Sequence, residues 1–409
     1  MGADVLRKEY RMKFVMWKLN YKSIKALFTN LVVFTFFYLF YELNTYLKYP
    51  FLRLGDAWFD RKFDDTDQVL KSADCYATIG RSIYDQITCS YLYGSPLLDV
   101  INFIGVSPMN VNFVGELFLY INIMIFTFIS VRVYNKFGIK RILLCVLVFV
   151  SPPFHYLIER GNFDTLIILV LLISCIFISR KKLIFGSIFL GIASVFKFYT
   201  LPVLLIYLLY LKFSKSKHMK FHLAIGIITV LMVFRDYLRI RGILGSGTGG
   251  YGGTFGLKSI ALYANHLSTY FNTTFIFLVT VLSFTLVFFV MLFKFSLRKP
   301  RFHALNSFSH VIQLVFGLQF VTCYLITMNN DYRLSILGIF LSALLMRSPM
   351  NSGLESNILI FGLMAMWLSY PSWILQVLGD ISLMIAIFLI INFILRSQFK
   401  PRVHNYSHD

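Results

Sequence analysis

The sequence predicts an all-α, polytopic integral-membrane protein, a single domain over residues 1–409 with about twelve transmembrane helices. Of its residues, 57% are apolar and 14% are charged, whereas soluble domains carry about 25% charged residues. Mean hydropathy is +0.70. The apolar segments are continuous runs, unlike the alternating pattern of a membrane β-barrel. These observations exclude a soluble globular enzyme, a disordered chain and a disulfide-rich secreted module.

The positive charge of the chain fits this class without a nucleic-acid partner. The net charge of +20 comes from 39 basic and 19 acidic residues. Short cytoplasmic loops of membrane proteins collect Lys and Arg. The predicted loops on one side hold most of the basic residues, beginning with the N-terminal segment 1–25. Both termini are therefore predicted to be cytoplasmic.

The first predicted helix, residues 26–46, leads into a large extracytoplasmic loop, residues 47–112. This loop contains eight aspartates: Asp56, Asp60, Asp64, Asp65, Asp67, Asp74, Asp85 and Asp99. A crossing at about residues 111–131 follows, and the next one ends near SPPFHYLIERGNFD, residues 151–164. This topology places the ERGNFD motif on the same outer face as the acidic loop.

Residues 183–212 form an apolar stretch between two basic clusters. Because both clusters are predicted to be cytoplasmic, the stretch must cross twice with short helices, or enter the membrane and turn back. Proline breaks a helix, so Pro202 in the segment KFYTLP marks the turn. Lys197 is therefore predicted at the extracytoplasmic end.

The second half of the chain contains another outer loop, residues 235–272, in which residues 242–256 include eight glycines. This glycine-rich stretch matches no phosphate-binding motif and is interpreted as a lid or linker. A later crossing ends at MNNDYR, residues 328–333, on the outer face. The last three crossings turn at Arg347 inside and at YPSW outside.

Five ionisable residues are predicted to lie at helix ends on the outer face: Arg160, Asp164, Lys197, Asp331 and Arg333. Ionisable side chains near the hydrocarbon layer are costly and tend to be functional. Arg and Lys both bind phosphate oxygens, and lipid phosphates lie at this depth. The sequence therefore predicts that Arg160, Lys197 and Arg333 bind the phosphate of a lipid substrate. His155, beside the ERGNFD motif, has two interpretations, a second acid or base and an ordinary interfacial histidine.

The acidic loop supplies candidate general bases, because a carboxylate can remove a proton from an attacking hydroxyl. Asp64, Asp65 and Asp67 are closely spaced but lack the EF-hand glycine and glutamate. No metal site and no cofactor are assigned. Cys75 and Cys89 in this loop would pair if it faces an oxidising compartment, whereas the other three cysteines lie in apolar runs.

Together these segments resemble the GT-C class of integral-membrane glycosyltransferases. The closest similarity is to glycosyltransferase family 87, the polyprenyl-phosphate-mannose-dependent α-1,2-mannosyltransferase-like proteins. The resemblance rests on the Asp-bearing loop after the first helix, in which Tyr84 and YLYGSPLL follow DDTD. It also rests on ERGNFD before a crossing, on LGIASVFKFYTLP, and on NNDYRL at the start of a late crossing.

The resemblance implies transfer of a mannose-like hexose from a polyprenyl-phosphate donor to a glycolipid or polysaccharide acceptor on the extracytoplasmic face. By its spacing from Tyr84, the base is implied to be Asp65 or Asp67, with Asp56 as a third candidate. The matching motifs imply that further residues contact substrate: Asn162, Asp164, Asp331, Tyr332 and His155. A bacterial inner membrane is favoured over the endoplasmic reticulum.

Two other functions are compatible with a polytopic chain. A polysaccharide polymerase of the O-antigen type would share the crossings, but its largest outer loops usually come late in the chain, and here the largest follows the first helix. A lipid-linked saccharide flippase would place charges near the membrane midplane and show paired halves. The predicted charges instead lie at one interface.

Overall fold

The computed structural model describes residues 28–43, 63–79, 93–240, 254–255, 307–326, 329–330, 333–347, 353–368 and 373–398. These ranges are almost entirely helical, which confirms the predicted all-α class. The helices are α1 (Phe28–Leu43), α2 (Asp64–Ile79), α3 (Ser95–Ile104), α4 (Val111–Phe137), α5 (Ile139–Phe149), α6 (Pro152–Glu159), α7 (Asp164–Ser179), α8 (Leu183–Phe196), α9 (Leu201–Phe213), α10 (Met219–Ile240), α11 (Phe308–Ile326), α12 (Leu334–Leu345), α13 (Gly353–Leu368) and α14 (Trp373–Gln398).

Two very short strands complete the described structure. β1 (Thr254–Phe255) pairs antiparallel with β2 (Asn329–Asn330), with Thr254 opposite Asn330. This pairing joins the glycine-rich segment to the MNNDYR motif. Both segments were predicted on the outer face, and the ladder shows that they meet.

One helical segment in the described residues is long and apolar enough to cross a bilayer. It has 30 residues, Pro108–Phe137, and combines a 3-10 turn (Pro108–Asn110) with α4. α5 and α6 meet the same criterion as a pair bent by 47°, and the other apolar helices of the described ranges are shorter. The twelve crossings therefore stay a prediction.

The break within residues 183–212 is confirmed. α8 ends at Phe196, Lys197 has an extended backbone, and a 3-10 turn (Phe198–Thr200) leads into α9. Pro202 lies in the first turn of α9, where its missing N–H is tolerated. Lys197 thus lies at the point where the two helices meet.

α12 is the most enclosed helix of the described structure, since every residue from Leu334 to Leu345 is buried. A helix that is apolar on all sides belongs in a core. Charged side chains mark its two ends. Arg333 precedes its first turn, and Arg141 and Lys136 donate to the carbonyls of Leu345 (3.1 Å) and Met346 (3.0 Å) at its last turn. Cations at the carbonyl end also match the helix dipole.

An aromatic core lies beside α12 and consists of rings from α1, α4, α5 and α6. Phe126 stacks on Phe149 with centroids 4.4 Å apart and meets the edge of Phe154 at 4.9 Å. Phe37 approaches Phe126 edge-on at 5.6 Å. Such pairs add about 0.5–1.5 kcal/mol each beyond the burial of their area.

The described part of the predicted outer loop is not irregular, because it contains α2 and α3. Leu70 of α2 packs with Leu97 and Leu98 of α3, and with Phe118 of α4 and Phe163. The many charges of this segment obscured its helical apolar pattern. The two helices form a second, smaller core at the N-terminal end of α4.

The first turn of α2 is docked on the turn between α6 and α7. The amide of Phe63 donates to the carbonyl of Glu159 (2.9 Å), and that of Asp65 donates to the carbonyl of Arg160 (3.1 Å). Thr66 Oγ1 donates to the carbonyl of Gly161. Gly161 has a left-handed backbone, with φ of 56°, which only glycine adopts freely.

We expect Gly161→Ala to destabilise the protein and to displace Asp65. The left-handed backbone costs about 1–2 kcal/mol for an L-residue with a side chain, and the added Cβ would lie 2.5 Å from Thr66 Oγ1. Gly105→Ala is the matched control, because Gly105 has φ of +74° but no neighbouring atom within 4 Å of that Cβ. Thermal unfolding in detergent should show the larger loss for Gly161→Ala. Equal losses would contradict the close docking of α2.

Candidate functional site

Polar side chains from several helix ends meet in one region, which we call the polar cluster. Its members come from the start of α2, the segment before α3, the α6–α7 turn with the first residue of α7, the α8–α9 break and the residue before α12. They are Asp64, Asp65, Tyr93, Arg160, Asn162, Asp164, Lys197 and Arg333. Helix ends leave backbone groups unpaired and therefore collect polar residues.

One half of the polar cluster is acidic. Arg160 donates from Nε to Asp65 Oδ1 (2.7 Å) and from Nη2 to Asp64 Oδ2 (2.9 Å). The Asn162 amide donates to Asp65 Oδ2. Both oxygens of Asp65 therefore accept hydrogen bonds, while 14% of its side chain stays exposed. Two carboxylates and one guanidinium give this half a formal charge of −1.

The other half is basic and more deeply buried. Asp164 Oδ1 lies 2.9 Å from Lys197 Nζ, and Asp164 Oδ2 lies 3.3 Å from Arg333 Nε. The side chains of Asp164 and Lys197 are 2% and 3% exposed. One carboxylate between two cations gives this half a formal charge of +1. Charges at this depth are tolerated only when paired.

Asn162 connects the two halves. Its Nδ2 donates to Asp65, and its Oδ1 accepts the Asp164 backbone amide (2.7 Å) and the Tyr93 hydroxyl (3.1 Å). The Lys197 ammonium lies 3.5 Å from the centre of the Tyr93 ring. A cation over an aromatic face is attracted by the ring quadrupole. Asn162 and Tyr93 therefore bridge the acidic half and the basic half of the polar cluster.

The Lys197 ammonium holds its proton less tightly than a free lysine. Burial lowers its pKa to about 8, Asp164 and Asp65 act in the opposite direction, and Arg333 lowers it further. Lys197 is therefore charged at pH 7 and loses its charge in mildly alkaline solution. Perturbed groups of this kind are enriched at functional sites.

The other predicted site residues have different places. His155 stacks on Tyr41 within the aromatic core (centroids 5.6 Å apart) and lies 4.0 Å from the Glu159 carboxylate. Asp67 pairs with Lys71 on the surface of α2 (2.6 Å). Asp56, Tyr84, Asp331 and Tyr332 lie outside the described residues.

The described cysteines agree with their predicted environments. Cys75 in α2 is disulfide-bonded, whereas Cys145, Cys175 and Cys323 are buried thiols. Cys89 lies outside the described residues. Within the part of the chain that the structure describes, no group of three or more His, Cys, Asp or Glu side chains is arranged to hold a metal ion.

Sequence reasoning missed Asp236 of α10, a buried carboxylate next to the polar cluster. It accepts hydrogen bonds from the Ser95 amide (2.7 Å) and the Ser95 hydroxyl (2.9 Å). The neighbouring Gly94 amide donates to the Phe196 carbonyl (3.0 Å), and a side chain on Gly94 would collide with the backbone of Val195. These contacts hold Tyr93 beside Lys197. The available signal was an aspartate at the end of an apolar run.

No family model, no curated protein and no solved structure matches the chain. The polar cluster is therefore interpreted from its own chemistry.

We expect Asp164→Asn to destabilise the fold strongly, because it leaves Lys197 and Arg333 buried without their counter-charge. Breaking a buried ion pair by removing one partner costs about 3–5 kcal/mol. The matched control is Asp67→Asn, whose partner Lys71 is exposed, and surface pairs contribute about 0–1 kcal/mol. Denaturant unfolding of both variants in detergent is the measurement. A loss for Asp164→Asn no larger than for Asp67→Asn would show that the buried pairing is not structural.

Proposed function

We propose that this protein is an integral-membrane glycosyltransferase. It moves a mannose-like hexose from a polyprenyl-phosphate donor to a glycolipid or polysaccharide acceptor. The observation that carries the proposal is the division of the polar cluster into an acidic and a basic half. Direct displacement at a sugar carbon needs a base for the acceptor on one side and cations for the leaving phosphate on the other.

In this mechanism Asp65 accepts the proton of the acceptor hydroxyl. The hydroxyl oxygen forms a bond to the anomeric carbon, and the bond from that carbon to the phosphate oxygen breaks. The bonding electrons leave with the polyprenyl phosphate, whose added charge Lys197 and Arg333 stabilise. The proton ends on Asp65 and the added negative charge ends on the leaving phosphate, so atoms and charge are balanced.

The charge of the basic half suits the donor. A polyprenyl-phosphate sugar is a phosphodiester with one negative charge, and the basic half has a formal excess of one positive charge. Asp164 neutralises one of the two cations. An incoming phosphate can therefore bind the remaining positive charge without displacing Asp164. Arg and Lys supply a planar fork and a point charge to phosphate oxygens.

The contacts of Arg160 favour a different role from the predicted one. Sequence reasoning placed Arg160 on the donor phosphate, but its guanidinium is engaged by Asp64 and Asp65. We propose that Arg160 positions the base, because its guanidinium donates hydrogen bonds to both Asp64 and Asp65. Lys197 and Arg333 then form the phosphate site.

The arrangement of charged residues along α12 supports the proposed topology. Arg333 at one end belongs to the polar cluster, which sequence reasoning assigned to the outer face. Arg141 donates to the carbonyls of Leu345 and Arg347 at the other end, and Arg347 lies in a turn that the sequence predicts to be cytoplasmic. The disulfide at Cys75 suits an oxidising extracytoplasmic space. We propose about twelve crossings and a bacterial inner membrane.

We expect Asp65→Asn to abolish sugar transfer while preserving donor binding. Loss of a general base typically lowers turnover by a factor of about 100 to 10,000. Asp67→Asn is the control, because that carboxylate lies in the same helical turn but pairs with Lys71. The assay follows radiolabelled hexose from a polyprenyl-phosphate donor into lipid or polysaccharide in proteoliposomes. Wild-type turnover in Asp65→Asn would refute the base, and no transfer by the wild-type protein from any such donor would refute the proposed reaction.

Affinity for the donor should fall as the pH rises through about 8. Burial lowers the pKa of Lys197 to that value, so its amine is protonated below pH 8 and neutral above it. A neutral amine no longer attracts phosphate. Lys197→Arg is the control, because guanidinium stays protonated at these pH values. At pH values above about 7, where the second ionisation of the phosphate monoester (pKa about 6) is nearly complete, binding of polyprenyl phosphate should fall with pH in the wild type and be nearly flat in Lys197→Arg. The same pH profile in both proteins would exclude Lys197 from the phosphate site.

A further inference from the structure

Two arginines lie side by side at the end of α7 that points away from the polar cluster. α7 begins at Asp164 in that cluster, and its 16 residues separate its two ends by about 24 Å. Arg180 directly follows the helix, and Arg132 lies in α4 close enough to Arg180 for the two charges to repel each other. Both side chains are exposed. Repulsion between like charges opposes a compact fold, so this pair needs a compensating negative charge.

Two phenylalanine rings hold the Arg132 guanidinium in place. Its Cζ lies 4.3 Å from the centre of the Phe128 ring, one turn earlier in α4, and 4.5 Å from the centre of the Phe308 ring at the start of α11. The two rings meet edge to face, with centroids 5.8 Å apart. A guanidinium that stacks on aromatic rings keeps its planar fork of N–H donors for an anion. An arginine that only extends toward water would not need this support.

The segments around the two arginines contain no carboxylate that could neutralise them. The chain has no Asp or Glu between Glu116 and Glu159, and none between Asp164 and Asp236. The segment that leads from Asp236 to α11 contains none either. Within the described ranges, neither arginine takes part in an ion pair. The compensating charge is therefore expected to come from a bound anion.

Lys181 adds a third cation at a position that glycine usually occupies. α7 ends in a Schellman motif, in which the amide of Lys181 donates to the carbonyl of Ile178 (2.9 Å) and that of Lys182 to the carbonyl of Phe177 (2.9 Å). The residue after the cap of this motif has a left-handed backbone and is most often glycine. Lys181 has φ of 60° and an exposed side chain. A cation also suits the helix dipole here, so Lys181 supports an anion site only together with the two arginines.

The depth of Arg132 fits the headgroup of a lipid. Arg132 lies five residues, or about 7.5 Å, before the end of the α4 segment that meets the membrane-span criterion. The headgroup layer occupies about 5–7 Å on each side of the hydrocarbon core. Phe185 and Ile188 of α8, which begins two residues after Lys181, are 52% and 37% exposed. A ligand with an anionic group and apolar chains therefore suits both the cations and their surroundings.

We propose that Arg132, Arg180 and Lys181 bind the headgroup phosphate of an anionic phospholipid in the cytoplasmic leaflet. The proposal rests on the membrane embedding and topology of the proposed function and adds a second lipid site on the opposite face. Basic pockets between helices on the cytoplasmic side of a membrane protein suit such headgroups. Because Arg132 also contacts the start of α11, the bound phosphate would hold the cytoplasmic ends of α4, α7 and α11 together.

The test measures lipid binding to the purified protein by native mass spectrometry in ammonium acetate. Phosphatidylglycerol is the anionic probe, phosphatidylcholine is the control lipid without net charge, and inorganic phosphate is the competitor. Arg132→Gln removes the cation between the rings. Lys140→Gln is the matched control, because it removes one exposed cation from the start of α5, beyond the end of α4.

We expect phosphatidylglycerol to bind more tightly than phosphatidylcholine. Loss of a hydrogen bond to a charged group corresponds to about tenfold in affinity or more, so Arg132→Gln should weaken binding of phosphatidylglycerol by that factor. Lys140→Gln should change it by less than about twofold, because salt at about 0.15 M screens exposed charges beyond about 8 Å.

Lys181→Gly separates lost binding from lost folding. Glycine adopts the left-handed backbone freely, so this variant should bind phosphatidylglycerol more weakly without a lower unfolding temperature.

Equal affinities for the two lipids, or equal losses in Arg132→Gln and Lys140→Gln, would overturn the site. Complete displacement of phosphatidylglycerol by millimolar inorganic phosphate would overturn the lipid as occupant, in favour of a free anion. Release of the protein from membranes by alkaline carbonate would refute the membrane embedding itself. Failed lipid selectivity in protein that resists this extraction would overturn only the lipid site and leave the proposed function intact.

Discussion

Two cations lie buried among apolar helices, and the Asp164 carboxylate between them makes that burial tolerable. Asp164 begins α7, Lys197 directly follows α8 and Arg333 precedes α12, so one carboxylate ties three helix ends together. Several kcal/mol of desolvation oppose each buried charge. These ion pairs therefore fix the relative positions of the three helix ends and also define the charge of the site.

Asn162 extends this constraint to the acidic half. A planar side-chain amide both donates and accepts hydrogen bonds, and that of Asn162 uses both functions, toward Asp65 and toward Asp164 and Tyr93. Gly161 beside it allows α2 to approach closely. Asp65 and the buried ion pairs of Asp164 are thus connected through the side chain and backbone of Asn162 rather than through a long loop.

In the proposed reaction, the two halves serve the two partners of the transfer. The carboxylates beside Arg160 would accept the proton of the acceptor, and the excess positive charge beside Asp164 would attract an anion. If all three cations faced one phosphate, as the sequence predicts, Asp65 would lose the guanidinium that holds it in place. The aromatic core and the enclosed α12 supply the rigid support that such a division requires.

The sequence by itself determined the helical class, the break at Lys197 and the types of residue at the polar helix ends. Hydropathy, proline positions and isolated charges are local signals, so they can be interpreted without knowing what packs against them. The tertiary structure alone decided which charges pair. Asp65 and Arg160 are separated by 95 positions, and Asp164 and Arg333 by 169, so no local pattern distinguishes a phosphate ligand from a partner of a carboxylate. The same reason hid Asp236, α2 and α3, because their roles depend on surfaces that only folding brings together.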